Sequence, residues 1–177
     1  MKQFILGKVS DKLTEFLEKE YGAEQIQPVD YLLYNARQQV MNLFYPEAVE
    51  KITEESGFSP EADEEVSQRF DEMIDKYDRE EAGSQYSQYR FVKESPEGAK
   101  AVFYVTVEKN TGFVLPQYEW DESAKAMEEI SEEEYRFFNR IIRDILLAPY
   151  GWAENLKDDQ ETYERFITTK EYWDSMC

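Results

Sequence analysis

Along the pattern of apolar and polar positions, the longest run of β-branched and aromatic residues falls within residues 99–117, AKAVFYVTVEKNTGFVLPQ. Val102, Phe103, Tyr104, Val105, Thr106 and Val107 are β-branched or aromatic and favour a strand. Residues 108–112 supply turn chemistry, because Asn110 and Gly112 tolerate positive φ. Phe113, Val114 and Leu115 resume the strand, and Pro116 ends it or marks a sheet edge. Upstream, residues 89–93 read as a partner strand, joined through the loop around Pro96 and Gly98. The minimum is three antiparallel strands, enough for stability once one face is covered.

Around this sheet the apolar spacing turns helical. Residues 2–6 read either as a short strand or as a first helical turn. Ser10 caps a helix carrying Leu13, Phe16, Leu17 and Tyr21, which Gly22 ends. Residues 25–29 read as a loop. Asp30 caps a second helix with Leu33, Ala36, Val40, Leu43 and Phe44 as its stripe, and Pro46 opens a third that Gly57 ends. Ser59-Pro60 signals the start of a helix of about six turns to Gly83, with Ala62, Val66, Phe70, Met73, Ile74 and Tyr77 on one face.

Beyond the sheet, Ala124, Met127 and Ile130 mark a short helix. Ser131 and Glu134 form a capping box, in which each side chain reaches the other's backbone amide. Tyr135, Phe138, Ile141, Ile142, Ile145 and Leu146 make the next helix the best cover for the sheet, and Pro149 stops it. Residues 152–177 predict one or two short helices docked by Trp152, Leu156, Tyr163, Phe166, Ile167 and Trp173. The expected fold is α+β: a helical lobe over 1–83, then a small antiparallel sheet of three to four strands with covering helices over 84–177. The Val-x-x-x-Thr-Gly-x-Val pattern of residues 107–114 resembles the hairpin of PepSY-type domains, and no function is carried over from it.

Composition narrows the chemistry. The 177 residues hold no histidine, so histidine-based nucleophile activation, imidazole metal ligation and imidazole pH switching are excluded. One cysteine, Cys177, makes no internal disulfide, and the expected compartment is the reducing cytoplasm. Phe4-Ile5-Leu6 is too short for a signal-peptide core, and no run suits a membrane helix. There is no Gly-rich phosphate loop, zinc spacing or calcium loop, so no cofactor or metal is expected. Asp158, Asp159, Gln160 and Glu161, and Glu108 with Asn110, read as solvent-facing or strand-end residues rather than ligands.

Charge is the remaining lead. The net charge of −19 disfavours nucleic acid and anionic membranes as direct partners and favours basic ones. Residues 61–83 carry ten acidic and three basic residues, and 118–134 carry eight and one, whereas 84–117 are almost neutral. The helical stripe predicts that Asp63, Glu64, Glu65, Asp71, Glu72, Asp75 and Asp78 point outward, with turn neighbours about 5–6 Å apart. Duplex DNA presents about one phosphate charge per 1.7 Å of axis, so such a row can imitate a nucleic-acid backbone. Glu119, Asp121, Glu122, Glu128 and Glu129 form a second candidate surface.

The leading expectation is a non-enzymatic inhibitor that docks on the basic groove of a nuclease or other nucleic-acid-binding protein, as in anti-CRISPR or anti-restriction mimicry. The alternatives are a carboxylate-dependent metal hydrolase and an immunity or regulatory protein for a basic partner. Solvated acidic faces that complement helix N-termini account for the same residues without any partner.

Overall fold

The computed structural model describes residues 2–27 and 30–152, together with Gln160, Glu164 and Glu171. Five α-helices and a four-stranded antiparallel sheet are present among them, an α+β architecture. The elements are α1 (Lys2–Tyr21), β1 (Glu24–Ile26), α2 (Asp30–Phe44), α3 (Pro46–Ser56), α4 (Glu64–Lys76), β2 (Tyr86–Glu94), β3 (Lys100–Glu108), β4 (Val114–Trp120) and α5 (Glu132–Trp152). A π-helical turn (Tyr77–Glu81) follows α4, and a 3-10 turn (Met127–Glu129) precedes α5. The chain divides into two compact units, residues 1–27 with 87–177, and residues 28–86. The first helix thus belongs with the sheet, not with the helical lobe expected over 1–83.

In the sheet unit the strand order is β1-β2-β3-β4. The β3–β4 hairpin pairs Phe103 with Tyr118, Val105 with Pro116 and Val107 with Val114. Its period of two sends Ala101, Phe103, Val105 and Val107 to one face, where all are buried. Leu13 and Leu17 of α1 and Phe138, Ile141, Ile145 and Leu146 of α5 share their core cluster. Aromatic rings build its centre: Tyr21 stacks on Phe91 at 4.7 Å, and Phe91 on Phe103 at 4.8 Å. Pro116 lies within β4, an edge strand where its missing N–H is tolerated, and the strand runs on to Trp120.

The second unit packs α2, α3 and α4 around Met41, Ile52, Phe70 and Ile74. The buried residues of α2 are Leu32, Ala36, Val40, Met41 and Phe44, so the stripe uses Leu32 and Met41 where the periodicity suggests Leu33 and Leu43. Gly57 ends α3 with φ 73°, a left-handed position that glycine reaches without a Cβ penalty.

Four further differences from the sequence reading have local causes. The first helix runs from Lys2, so Ser10 lies inside it rather than capping it. Glu24–Ile26, read as loop, pairs with Gln88–Arg90 as a three-residue edge strand too short to show alternation. The fourth helix begins at Glu64 rather than after Ser59, because the Asp63 carboxylate accepts the Val66 N–H at 3.0 Å and takes the capping role. Finally, α5 runs through Pro149 to Trp152. Proline removes one hydrogen bond, and the Trp152 ring regains contact at 5.7 Å from Phe16. The docked helices expected after Trp152 lie outside the described residues.

Candidate functional site

The acidic residues separate into carboxylates enclosed by protein donors and carboxylates facing solvent. Three of the enclosed ones define the chemistry that is already spoken for. Asp78, at the π-helical turn, is fully buried. Ser84 Oγ donates to its Oδ1 at 2.6 Å, Tyr86 OH donates to its Oδ2 at 2.8 Å, and Arg37 Nε lies 3.6 Å from Oδ2. Arg37 also pairs with Asp75, which receives Arg79 at 2.5 Å, and its guanidinium sits 5.7 Å from the Tyr86 ring centre. Two hydroxyls therefore tie the π-helical turn to Ser84 and to the start of β2, and one guanidinium ties it to α2.

Glu134, buried at the start of α5, has its oxygens filled by four donors. Lys125 Nζ at 2.6 Å and Ser131 N at 3.1 Å meet Oε1; Ser95 Oγ at 2.6 Å and Ala99 N at 3.0 Å meet Oε2. An ionised carboxylate offers about four such acceptor positions. Lys125 and Ser95 hold its pKa far below the usual carboxylate range, at about 2. The capping box is present, with the Ser131 Oγ accepting the Glu134 N–H at 3.2 Å, and Glu134 reaches well beyond it. A cleft of about 250 Å³ opens beside it between Pro96, Glu97, Phe137 and Arg140. Glu108, at the end of β3, accepts the Thr111 N–H at 2.6 Å and the Thr111 hydroxyl at 2.7 Å and closes the hairpin turn. Each buried carboxylate thus fastens chain to chain. Among the described residues no group of three acidic or cysteine side chains is placed to hold a metal ion.

The predicted docking residues divide accordingly. Asp63, Glu64, Glu65 and Glu72 are exposed, with Glu72 accepting from Gln68 at 3.1 Å. Asp71, Asp75 and Asp78 correct the outward reading. Gln38 Nε2 donates to Asp71 at 3.0 Å, Asp75 is held by the two arginines, and Asp78 is buried. The spacing carried a signal for this: Phe70, Ile74 and Asp78 fall four residues apart, so the apolar face itself continues onto Asp78.

In the sheet unit Glu119, Glu122, Glu128 and Glu129 are exposed, as are Glu132 and Glu133. Asp121 instead serves a local turn, accepting from the Ser123 hydroxyl and from Ser123 N at 3.1 Å, contacts that lower its pKa. Arg136 neutralises Glu132 at 2.8 Å. Glu64, Glu65, Glu119, Glu122, Glu128 and Glu133 have no ion-pair partner within 4.0 Å among the described residues.

The sequence reading passed over two exposed aromatics on α2, Tyr31 at 70% and Tyr34 at 37% relative exposure. Gln38 donates to the Tyr34 hydroxyl at 3.0 Å while also binding Asp71. Loss of solvent around the phenol, reinforced by Asp71, raises the Tyr34 pKa, so the ring stays neutral. No helix among the described residues is long and apolar enough to cross a membrane. Comparison with protein families, curated proteins and solved structures finds no match to this chain.

Proposed function

We propose that this chain is a non-enzymatic interaction protein. Its acidic surface docks on the basic groove of a nuclease or another nucleic-acid-acting protein, in the manner of anti-CRISPR or anti-restriction mimicry. The observation that carries the reading is the sorting of carboxylates. Those inside the fold are matched by donors, and the unmatched negative charge is left at the surface, at Glu64, Glu65 and Glu72 of α4 and at Glu119, Glu122, Glu128, Glu129 and Glu133. An exposed isolated ion pair contributes only about 0–1 kcal/mol. Unmatched surface charge therefore does little for the fold, whereas it speeds encounter with an oppositely charged groove. The reading places the protein in the cytoplasm, which its single cysteine supports.

The test is capture of basic proteins on the purified chain at rising salt, repeated with Glu64, Glu65 and Glu72 changed to Lys. Asp71, Asp75 and Asp78 are left intact because they hold the fold. One dominant nucleic-acid-acting partner, lost on reversal, is the expected result. Partner binding unchanged by reversal of these residues and of Glu119, Glu122, Glu128 and Glu129 sinks the proposal.

A further inference from the structure

We propose that the cleft at the start of α5 binds the C-terminal residue of a peptide, an arginine or lysine whose side-chain cation and free α-carboxylate are held at opposite ends. The site lies within the sheet unit and stands independently of the acidic-surface reading.

The cleft encloses about 250 Å³, and Glu97, Glu133, Phe137 and Arg140 border it together with Pro96. The three α5 residues among these follow at steps of four and three, so they share one helix face. Glu133 and Arg140 lie two turns apart, about 10 Å along the axis. Glu97 joins the Glu133 end, because its Oε2 accepts the hydroxyl of Ser131, which caps α5, at 2.9 Å. Two carboxylates thus stand at one end of the cleft and a guanidinium at the other. Helical side chains lean towards the N-terminus, which carries Arg140 over the turn that holds Phe137.

Neither Glu133 nor Arg140 has an ion-pair partner within 4.0 Å among the described residues, whereas Arg136, one turn before Arg140, is paired with Glu132 at 2.8 Å. Glu134, in the same wall, is filled by its four donors, Lys125 among them. Phe137 is half-buried, with its ring edge-on to Phe138 at 5.0 Å, so the apolar middle of the cleft is fixed by the core. This order of groups selects the ligand. A simple anion is repelled by Glu97 and Glu133, and a simple cation leaves Arg140 unused. An arginine or lysine with a free α-carboxylate supplies both ends, and its methylene stem covers the Phe137 ring. Arg140 takes the carboxylate through its planar fork. The α-nitrogen must be acylated, because an α-ammonium beside Arg140 meets no acceptor: Glu134 has none left. A chain terminus fits, and a free amino acid does not.

The test is an NMR titration of the isotope-labelled full chain with N-acetyl-L-arginine at about physiological ionic strength. Saturable shifts confined to the amides of residues 95–98 and 133–140 are expected. Agmatine, which lacks the carboxylate, and free L-arginine, which adds an α-ammonium, are each expected to bind the wild-type chain about threefold or more weakly. R140Q lowers the affinity for N-acetyl-L-arginine by about threefold or more and leaves that for agmatine unchanged, whereas E97Q/E133Q weakens both. Agmatine or free L-arginine binding as tightly as N-acetyl-L-arginine overturns the inference. So does an R140Q chain that binds N-acetyl-L-arginine as wild type does, and so do shifts that are absent or spread over the acidic surface without saturating.

Discussion

Replacing Asp78 with alanine tests the buried network of Ser84, Tyr86 and Arg37 around it. On a chain of net charge −19, deleting one carboxylate relieves long-range repulsion, and at a surface position such a change falls within about 0.5 kcal/mol of neutral. Asp78 is not at the surface. The substitution removes the acceptor of the Ser84 and Tyr86 hydroxyls, and hydrogen bonds to a charged group contribute about 1.5–3 kcal/mol each. It also strips Arg37 of one of its two carboxylates, although Asp75 keeps part of the compensation. Removing one partner of a buried pair costs about 3–5 kcal/mol, in line with the sum of the two hydroxyl bonds. The predicted loss for D78A is therefore about 3–5 kcal/mol. With a urea slope of about 2 kcal/mol per molar, the midpoint followed by far-UV circular dichroism falls by about 1.5–2.5 M. D78N keeps one oxygen acceptor and loses about half as much. A D78A loss below about 1 kcal/mol refutes the reasoning and returns Asp78 to the solvated row read from the sequence.

Three other outcomes follow from the same contacts. The Glu134 pKa is depressed to about 2 from a reference of 4.5, so the folded state binds its proton less readily than the unfolded state. Its contribution is complete above the unfolded value and is lost as pH falls through the folded one. The stability advantage of wild type over E134Q, from urea titrations at a series of pH values, is thus expected to shrink between pH 4.5 and about 2; an advantage that stays constant over that window is the contrary result. Phe138 is fully buried among Phe103, Tyr118 and Trp120, and F138A is expected to cost about 3–5 kcal/mol in the same assay. Asp63 caps α4, so D63A is expected to cost about 1 kcal/mol, with D63S close to wild type; equal losses for both argue against the cap.

The hairpin was legible because its strand formers, its Thr-Gly turn and its edge proline all agree on one structure. The capping box at Ser131 and the stripe of α5 were legible for the same reason, since short-range spacing determines them. What the sequence concealed was long-range. The four donors on Glu134 come from Ser95, Ala99, Lys125 and Ser131, up to 39 residues away, and no local pattern joins them. Asp78 was misplaced because acidic character was weighed above the four-residue step from Ile74. The start of α4 was misplaced because two capping signals lie four residues apart, and Asp63 wins over Ser59. Of the candidate site, Asp63, Glu64, Glu65 and Glu72 of the α4 row match the outward reading, and Glu119, Glu122, Glu128 and Glu129 of the second candidate surface are exposed. Tyr31 and Tyr34 escaped it because helical spacing alone does not tell an aromatic on the solvent face from one at the edge of the core.

The most direct test of the central claim is competition. A partner captured by this chain is mixed with duplex nucleic acid, and occupancy is followed by analytical ultracentrifugation as the protein is added. Docking in the basic groove predicts displacement, with protein and duplex mutually exclusive on the partner. A stable ternary complex holding partner, duplex and protein at once contradicts it.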